Sequence, residues 1–473
     1  MIAAMSLIIA LSIAGCAAGP DYRKPSATLQ PFHAPAALSS RRTRASAPAL
    51  AQWWLGFADP ELTRIAQRVL NQNLGLTAAI ARVEQARAAA REAGAQLLPT
   101  ADLTAQAARI HQSLESPLGS IARHLPGFER DPSEYDVGAA ASWEIDLFGG
   151  LRRGAQAARA EAQAAEAEQL GTRITVVADA ADAYLQVRGD QARIALAKDQ
   201  VSTDEHLLDL VERRFRAGLA TDREEAQAQS LLSEARASLQ PLAIDLEAQL
   251  NRLDVLMGAQ PGTYAGELSS RQEIPLPPAI PSDVTPADVL RRRPDVIAAE
   301  RRLAASNARI GEAIAEYYPK ISISGLLGFE SLSTGQLFKA ATFQPEAVAG
   351  LRWRLFDFGK IDAEVAGAKG ANAEALALYR QSILHAAEDV EDAFAALVQL
   401  QAHGEELERE VAALKRARDS SQRAYAAGVI PLTDVLDADR QLLSAQDQLA
   451  LTRANTDQAA VQSFRAIGGG WGS

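Results

Sequence analysis

The sequence predicts a mainly α-helical fold with a smaller β portion, built from one structural unit that occurs twice. Three observations support this prediction. Short motifs recur about 210 residues apart, the stretches 150–216 and 360–426 contain no proline, and segments of alternating apolar and polar residues precede both stretches. Each copy is therefore expected to contain a helical segment, a strand, a loop, a second strand and long coiled-coil helices.

The composition excludes several classes of function. The chain has 473 residues and a formal net charge of −11. This charge argues against nucleic-acid binding, which needs a basic surface to neutralise phosphates. A single cysteine excludes an intramolecular disulfide and a zinc site built on several cysteines. The histidines show no ligand spacing and there is no glycine-rich phosphate loop, so we expect no metal, no cofactor and no enzymatic activity.

The amino terminus predicts a membrane anchor. Residues 1–15 are uncharged and mostly apolar, as in a signal peptide, and end at Cys16. The segment 13–16, Ile-Ala-Gly-Cys, resembles a bacterial lipobox, in which the cysteine is lipidated and becomes the first residue. We therefore predict a palmitoylated lipoprotein anchored through Cys16. By analogy with other lipoproteins, Ala17 favours the outer membrane. No basic residue precedes the apolar run, which leaves an upstream start codon open.

The remainder of the chain divides into an arm and two repeats. Residues 16–55 are predicted to form a lipid-anchored, extended and poorly packed arm, because proline, serine and alanine dominate them. We expect the first repeat over 56–265, a proline-rich connector over 266–285 and the second repeat with a C-terminal tail over 286–473.

The duplication rests on three pairs of similar motifs, two at an offset of 210 residues and one at 220. The pairs are Trp143–Gly149 with Trp353–Gly359, Arg214–Gly218 with Arg423–Gly428, and Leu97–Pro99 with Tyr317–Pro319. A period of this length is too long for a solenoid and indicates two copies of one structural unit.

The predicted strands are identified by alternation. Along Tyr135–Leu147 every odd position is apolar, and weaker alternation follows over 321–329 and 347–355. This pattern fits tilted transmembrane strands, and it fits a soluble antiparallel sheet with one wet face about equally well. The lipoprotein leader favours the membrane. Aromatic residues near one strand end would then lie at the membrane interface: Trp143, Phe148, Trp353 and Phe358.

The proline-free stretches predict very long helices. At 1.5 Å per residue, each would reach roughly 100 Å. Apolar residues at alternating spacings of three and four predict a left-handed coiled coil: Leu376, Tyr379, Ile383, Ala386, Val390, Ala393, Leu397 and Leu400. Helices of this length need partners from the same chain or from other copies of it.

The predicted strands also require assembly. Four strands cannot close into a barrel, and an open sheet edge in lipid leaves backbone groups without hydrogen bonds. Several copies must therefore combine, with eight, twelve or sixteen strands as the possible totals.

Several motifs together resemble the lipoprotein branch of the TolC-like outer-membrane efflux channels. They are Gly19–Pro25 after the lipobox, Trp53-Trp54 with Asp59-Pro60, and Leu290–Val296 with Ala299–Leu303. The resemblance covers essentially the whole chain. It implies a homotrimer whose twelve strands form one barrel in the outer membrane, continued by an α-helical barrel in the periplasm. It also implies a periplasmic adaptor and an inner-membrane transporter of the RND type as partners.

The resemblance further implies a gate at the periplasmic tip. Asp434 and Asp437 match two acids that ring the closed pore of relatives, although acids in a first helical turn are also favoured by the helix dipole alone. Tyr425 matches a tyrosine that pins the closed helices, and Ile430 occupies the position of an assisting basic residue. In the first copy, Asp222 or Glu224 matches an acid near the corresponding turn.

Gly218 and Gly428 are predicted to form tight helix–helix turns at the tip, where a positive φ is useful. The resemblance implies that these turns contact the adaptor. A turn without any binding role is the alternative.

The function predicted from this resemblance is a passive outer-membrane exit duct for small toxic compounds, gated at its periplasmic end. Two alternatives stay open at this stage: a duct for secreted polypeptides, and a coiled-coil envelope spacer lipoprotein without a pore. The sequence does not identify the cargo or the particular pump.

Overall fold

The computed structural model of the chain describes residues 17–26, 29–33, 48–270, 273–281 and 284–472. The predicted signal peptide, residues 1–15, and the predicted lipidation site, Cys16, lie outside the described residues.

The first half of the chain contains three shorter α-helices, a strand pair and two long α-helices. The bounds are α1 Pro60–Gln72, α2 Leu74–Ala95, β1 Thr100–Arg109, α3 Pro117–Ala122, β2 Ser133–Ile145, α4 Gly150–Arg216 and α5 Asp222–Leu256. The second half repeats this order without a counterpart of α3. Its bounds are α6 Pro286–Arg292, α7 Pro294–Ala315, β3 Lys320–Ser331, β4 Phe343–Arg352, α8 Lys360–Ala426 and α9 Leu432–Ala466.

The two halves match in the lengths of their long helices. Both α4 and α8 have 67 residues, and both α5 and α9 have 35. On α8 the apolar positions of the predicted heptad are mostly buried: Tyr379, Ile383, Ala386, Val390 and Leu397. The long helices predicted from the proline-free stretches are therefore present, with the seam of α8 turned inward as predicted.

The first helices of the two halves begin with the same local chemistry. Asp59 precedes Pro60, and its carboxylate accepts hydrogen bonds from the backbone N–H groups of Glu61 and Leu62 at 2.8 and 3.1 Å. Thr285 precedes Pro286 and forms a capping box with Asp288. Proline suits the first helical position because its N–H would lack a partner there, so both starts are encoded locally.

The described strands form one antiparallel sheet in the order β1-β2-β3-β4. The register pairs Leu103 with Ala139, Ala139 with Leu327, and Leu327 with Pro345. Because side chains alternate along each strand, this register collects most apolar side chains of the four strands on one face. Leu326 and Val348 are exceptions and lie on the other face. The opposite face carries Asp102, Thr104, Asp136, Ser142, Ser324, Glu330, Gln344 and Glu346.

Two strands end earlier than the alternation predicts. The predicted strands continue to Leu147 and Leu355, whereas β2 ends at Ile145 and β4 at Arg352. The reason in the first copy is a helix cap, because the Asp146 carboxylate accepts from the backbone N–H groups at positions 151 and 152. Asp357 accepts in the same way from the N–H groups at positions 359 and 361. Capping of α4 thus competes with continuation of β2. Asp357 lies beyond Leu355 and does not account for the earlier end of β4.

Contacts along the chain group the residues into two compact units. One unit comprises residues up to Pro25 with Glu84–Ala164 and Glu300–Leu378, and the other comprises Ser26–Val83, Ala165–Ala299 and Tyr379–Ser473. The first unit contains the sheet, and the second contains the turns after α4 and α8. Each unit takes segments from both halves of the chain.

In the first unit, the described start of the predicted arm is bound to the helices. The buried Arg153 guanidinium donates to the carbonyl oxygens of Ala18 and Gly19 at 3.1 and 3.3 Å and to the Asp21 carboxylate at 2.9 Å. The Tyr22 hydroxyl donates to the Glu300 carboxylate. Residues 18–22 are therefore held by specific side chains, which the low-complexity composition did not predict.

A buried polar network stabilises the second unit. The Tyr184 hydroxyl donates to the Asp59 carboxylate at 2.6 Å, and the Arg188 guanidinium donates to the Tyr184 oxygen at 3.0 Å. Arg188 also donates to the carbonyl of Ser270 at 2.8 Å, which ties the connector to α4. Nearby, Trp53 stacks on Phe464 with ring centroids 5.5 Å apart.

Arg293, which directly precedes Pro294, joins several helices. The Arg293 guanidinium binds the carboxylates of Asp295 and Asp389, both at 2.7 Å, and donates to the carbonyl of Ala466 at 3.3 Å. It thereby joins the α6–α7 junction to α8 and to the end of α9. None of the helices in the described part of the chain is both long and apolar enough to cross a membrane.

Candidate functional site at the helix turns

The turns after α4 and α8 have the same hydrogen-bond pattern. The N–H of Gly218 donates to the carbonyl of Phe215 at 2.9 Å, and the N–H of Leu219 donates to that of Arg214 at 2.8 Å. In the second copy, Gly428 donates to Tyr425 and Val429 to Ala424, both at 2.9 Å. This pair of bonds is the Schellman motif, which ends a helix and satisfies its last carbonyl groups.

Glycine is required in these turns by backbone conformation. Gly218 has φ of +74° and Gly428 has φ of +76°, and a Cβ added at either position would meet open space within 4 Å. Any other residue would therefore be strained by the left-handed backbone and not by a neighbour. The predicted turns are present, and the proposed adaptor contact at them stays a prediction.

Tyr425 lies in an apolar cluster beside its turn. The residue is 2% exposed and packs with buried residues of α4, α5 and α9: Leu207, Val211, Ala228, Leu432 and Val435. Ile430, at the position where the resemblance implies a basic residue, is a partly buried member of this cluster. An isoleucine there adds apolar packing and supplies no cation.

Arg214 supplies a cation to Tyr425 from the other copy of the repeat. Its guanidinium carbon lies 4.7 Å from the centre of the Tyr425 ring, and one terminal nitrogen donates to the Tyr425 carbonyl at 3.3 Å. Sequence reasoning missed Arg214 because the two residues are 211 positions apart. The only available signal was that Arg214 opens the motif aligned with Arg423–Gly428.

The hydroxyl of Tyr425 has no hydrogen-bond partner among the described residues, although it is buried. Burial raises the pKa of this phenol, the Arg214 guanidinium lowers the pKa, and the Glu224 carboxylate raises it further. Glu224 itself is engaged in the capping box of α5, where it accepts from the N–H of Thr221 at 2.7 Å. The aromatic ring, and not the hydroxyl, therefore makes the specific contact of Tyr425.

Asp434 and Asp437 lie on the exposed face of the first two turns of α9. Val435, which lies between them in sequence, is fully buried in the apolar cluster and fixes the orientation of this face. This placement agrees with a gate, because both carboxylates are open to solvent. It agrees equally with acids favoured by the helix dipole, because Asp434 is in the first turn. Their role as a gate stays a prediction.

A cavity of about 490 Å³ lies beside Tyr425 in the same unit. Polar side chains from α4 and α8 line it together with apolar ones: Ser202, Thr203, His206, Leu207, Leu210, Arg418, Gln422, Tyr425 and Val435. The pocket is open to solvent, whereas Tyr425 itself is only 2% exposed.

Two buried carboxylates lie near this cavity. Asp204 of α4 and Asp439 of α9 are 1% and 2% exposed. Burial raises the pKa of Asp204 to about 6, and it raises the pKa of Asp439 as well. The Arg418 guanidinium lies 3.7 Å from the Asp439 carboxylate and lowers the pKa of Asp439, which opposes the effect of burial.

The four predicted interface aromatics all belong to the unit that contains the sheet. The indole N–H groups of Trp143 and Trp353 donate to the carbonyls of Leu97 and Tyr317, each at 3.0 Å, in equivalent positions of the two copies. Phe148 stacks on Tyr318 with ring centroids 4.5 Å apart. Phe358 is fully exposed and has φ of +53°. Trp143 lies in β2, and the other three follow the strand ends.

No group of three or more potential metal-binding side chains occurs among the described residues. The site consists of a buried aromatic–cation pair, two exposed carboxylates and two glycine turns. This arrangement can hold helix ends together and present negative charge.

Sequence comparison now places the chain among known proteins. The profile of the outer membrane efflux protein family matches residues 65–259 and 285–469. The pyoverdine export outer membrane protein OpmQ of Pseudomonas aeruginosa is 34% identical over 435 residues, which cover 91% of this chain and 90% of that protein. The toluene efflux pump outer membrane protein TtgF of Pseudomonas putida is 31% identical over 478 residues, covering 99% and 96%.

Solved structures agree with this placement. The outer-membrane channel OprN has a TM-score of 0.88 at 32% identity, covering 96% of this chain and all of that one. The MtrE outer-membrane channel of Neisseria gonorrhoeae, solved in its open state, has a TM-score of 0.81 at 26% identity, covering 96% and 99%. The chain therefore belongs to the outer membrane efflux protein family and is an outer-membrane efflux channel with the TolC-like fold.

Proposed function

We propose that the protein is the trimeric exit duct of a tripartite pump, which carries small toxic compounds passively across the outer membrane. In this proposal Cys16 carries the lipid anchor, a periplasmic adaptor binds the turns at Gly218 and Gly428, and an inner-membrane transporter of the RND type supplies the energy. Asp434 and Asp437 form the closed end of the duct. The single observation that carries the gate is the exposure of these two carboxylates on one face of α9. This face directly follows a glycine turn that has the same hydrogen-bond pattern in both repeats.

The unpaired edges of the sheet support assembly into a trimer. Among the described residues, β1 and β4 each pair along one edge only. Three copies would contribute twelve strands and satisfy every edge by joining β4 of one copy to β1 of the next. The apolar face of the sheet would then be in contact with lipid, and the polar face would line the duct.

Exposed apolar residues support a protein partner at the turns. Leu219 and Val429, which follow the two glycines, are 68% and 75% exposed. Apolar side chains at such positions gain stability when a partner covers them. The cargo class is supported by relatives, which are named for export of pyoverdine and efflux of toluene.

The test of the gate is single-channel conductance in planar bilayers. The double variant Asp434→Asn with Asp437→Asn removes two charges from each copy and keeps side-chain size. We expect it to raise the baseline conductance several-fold and to weaken the preference for cations, since three copies lose six carboxylates from one throat. A cell carrying this variant is also expected to take up more antibiotic.

The matched control removes two exposed carboxylates elsewhere on the helices, with Glu405→Gln and Glu410→Gln on α8. This variant should conduct like the unmodified protein. Unchanged conductance in the Asp434 and Asp437 variant would show that these acids are only first-turn residues. Dependence of export on a polypeptide cargo would favour the secretion duct.

A further inference from the structure

We propose that Arg214 is a positioning residue of the gate, which clamps the end of α4 to the end of α8 by stacking on the ring of Tyr425. This inference rests on the proposed gate and identifies the interaction that keeps it closed. It assigns the closing interaction to an arginine of the first repeat and to the aromatic face of Tyr425.

The geometry gives Arg214 two contacts with one residue. Its guanidinium lies 4.7 Å from the ring centre, within the range of a cation–π interaction, and it also donates to the Tyr425 carbonyl at 3.3 Å. No carboxylate of the described residues lies within 4.0 Å of this guanidinium, in contrast to Arg213 and Arg216, which pair with Asp209 and Glu212. The charge of Arg214 is therefore directed to the aromatic ring and the end of α8.

Both partners occupy the last turn of their helices. Arg214 and Tyr425 each accept one of the two hydrogen bonds of the adjoining glycine turn through their carbonyl oxygens. A contact between them therefore fixes the two turns relative to each other. Separation of the turns, as opening of a gate requires, would break it.

The two repeats are not equivalent at this contact. With the offset of 210, Phe215 corresponds to Tyr425, and Ala424 corresponds to Arg214. Phe215 is 40% exposed, whereas Tyr425 is 2% exposed. The described residues at the two turns therefore form one such pair, from the cation of the first copy and the aromatic ring of the second.

The hydroxyl of Tyr425 is dispensable in this arrangement. It is buried without a partner, so its removal sacrifices no hydrogen bond within the described residues. Loss of the ring face or of the cation should therefore matter far more than loss of the oxygen.

The experiment compares five variants of the full-length protein: Arg214→Gln, Tyr425→Leu, the double variant, Tyr425→Phe and the control Arg213→Gln. Arg213 is exposed and lies next to Arg214, so the control removes the same charge without touching Tyr425. Open probability in planar bilayers is measured together with hydrogen exchange of the amides in 211–219 and 424–430. Trimer content on a native gel verifies folding.

We expect Arg214→Gln and Tyr425→Leu each to raise the open probability and the exchange rates by about 3- to 30-fold, the range of a partly buried cation–π contact. The double variant should exceed the larger single effect by less than twofold, because both changes remove the same interaction. Tyr425→Phe and Arg213→Gln should stay within about twofold of the unmodified protein.

A Tyr425→Phe variant that opens as readily as Tyr425→Leu would overturn the proposal, because the hydroxyl would then be the closing group. The proposal would also be overturned if the two single effects on open probability multiplied in the double variant. An effect of Arg213→Gln equal to that of Arg214→Gln would overturn it as well. Coupled hydrogen exchange without any change in conductance would retain the clamp and count against the gate. If the Asp434 and Asp437 double variant opens the channel but Arg214→Gln does not, the gate is retained and the clamp is rejected.

Discussion

At the scale of single residues, three aspartates of the long helices make the stability of the second unit depend on pH. Asp204 and Asp457 are each 1% exposed, and Asp182 is half-buried. Burial raises the pKa of Asp457 to about 8, that of Asp182 to about 7 and that of Asp204 to about 6. Asp182 and Asp204 accept hydrogen bonds from Gln462 and Gln200, at 2.6 and 2.8 Å, whereas neither carboxylate oxygen of Asp457 has a partner among the described residues. Asp457 is therefore the most unfavourable charge of the three.

The stability of the protein should fall as the pH rises from 6 to 8. A carboxyl group whose pKa is higher in the folded state holds its proton there after the unfolded chain has lost it. Stability is thus lost between the unfolded pKa near 4 and the folded pKa, by about 1.4 kcal/mol per pH unit for each such group. For Asp457 alone this amounts to about 2 kcal/mol between pH 6 and 8, because the folded carboxyl group is itself half ionised at pH 8. The melting temperature at the two pH values measures it.

Replacement of the titrating group isolates the contribution of Asp457. Asp457→Asn should reduce the pH dependence of the melting temperature and stabilise the protein at pH 8. Asp199→Asn, at an exposed position of α4, is the control and should leave the pH profile unchanged. An undiminished slope in Asp457→Asn would mean that this carboxyl group is already ionised at pH 6.

At the scale of secondary-structure elements, replacement of glycine by alanine should change the free energy of unfolding in opposite directions at two positions. Gly428 follows the end of α8, and Gly367 lies in its interior. Gly428→Ala places a Cβ on a backbone with φ of +76°, at a cost of about 1 kcal/mol, and loosens the turn. Gly367→Ala lies inside α8 with no neighbour within 4 Å of the added Cβ, and it should stabilise the helix by up to about 1 kcal/mol.

Thermal unfolding of both variants in parallel tests this contrast. Gly428→Asn belongs in the series, because asparagine tolerates the left-handed region better than alanine and should recover part of the loss. Equal behaviour of Gly428→Ala and Gly367→Ala would show that the turn does not need its left-handed residue.

At the scale of the whole molecule, the two faces of the sheet predict where charge is tolerated. Leu103 and Thr104 are neighbours on β1 and point to opposite faces. Leu103, 79% exposed in the single chain, belongs to the apolar face that would meet lipid. Leu103→Arg should therefore cost about 2–4 kcal/mol near the bilayer centre and reduce the amount of trimer in the outer membrane.

Thr104→Arg is the matched control on the polar face, and it should insert normally and change only the conductance. Heat-resistant trimer on gels of outer-membrane fractions distinguishes the two variants. Equal loss of trimer in both, or in neither, would contradict the assignment of the apolar face to lipid.

The sequence alone predicted those features that depend on local rules. The absence of proline predicted α4 and α8, glycine at positions 218 and 428 predicted their turns, and alternation predicted the course of β2. Each of these follows from backbone geometry or from the period of apolar residues, which act over a few positions. The end of β2 was predicted less accurately, because the cap formed by Asp146 acts against the apolar pattern. The strand β4 also ends before the predicted Leu355.

Only the tertiary structure decided which of the many charged residues matter. Asp434, Asp437 and Asp457 lie on one helix, and their types and neighbours in sequence do not reveal that the first two are exposed and the third is buried. The pairing of Arg214 with Tyr425 joins residues 211 positions apart. Burial and cation–π contacts depend on which surfaces meet in three dimensions, and this information is absent from local periodicity.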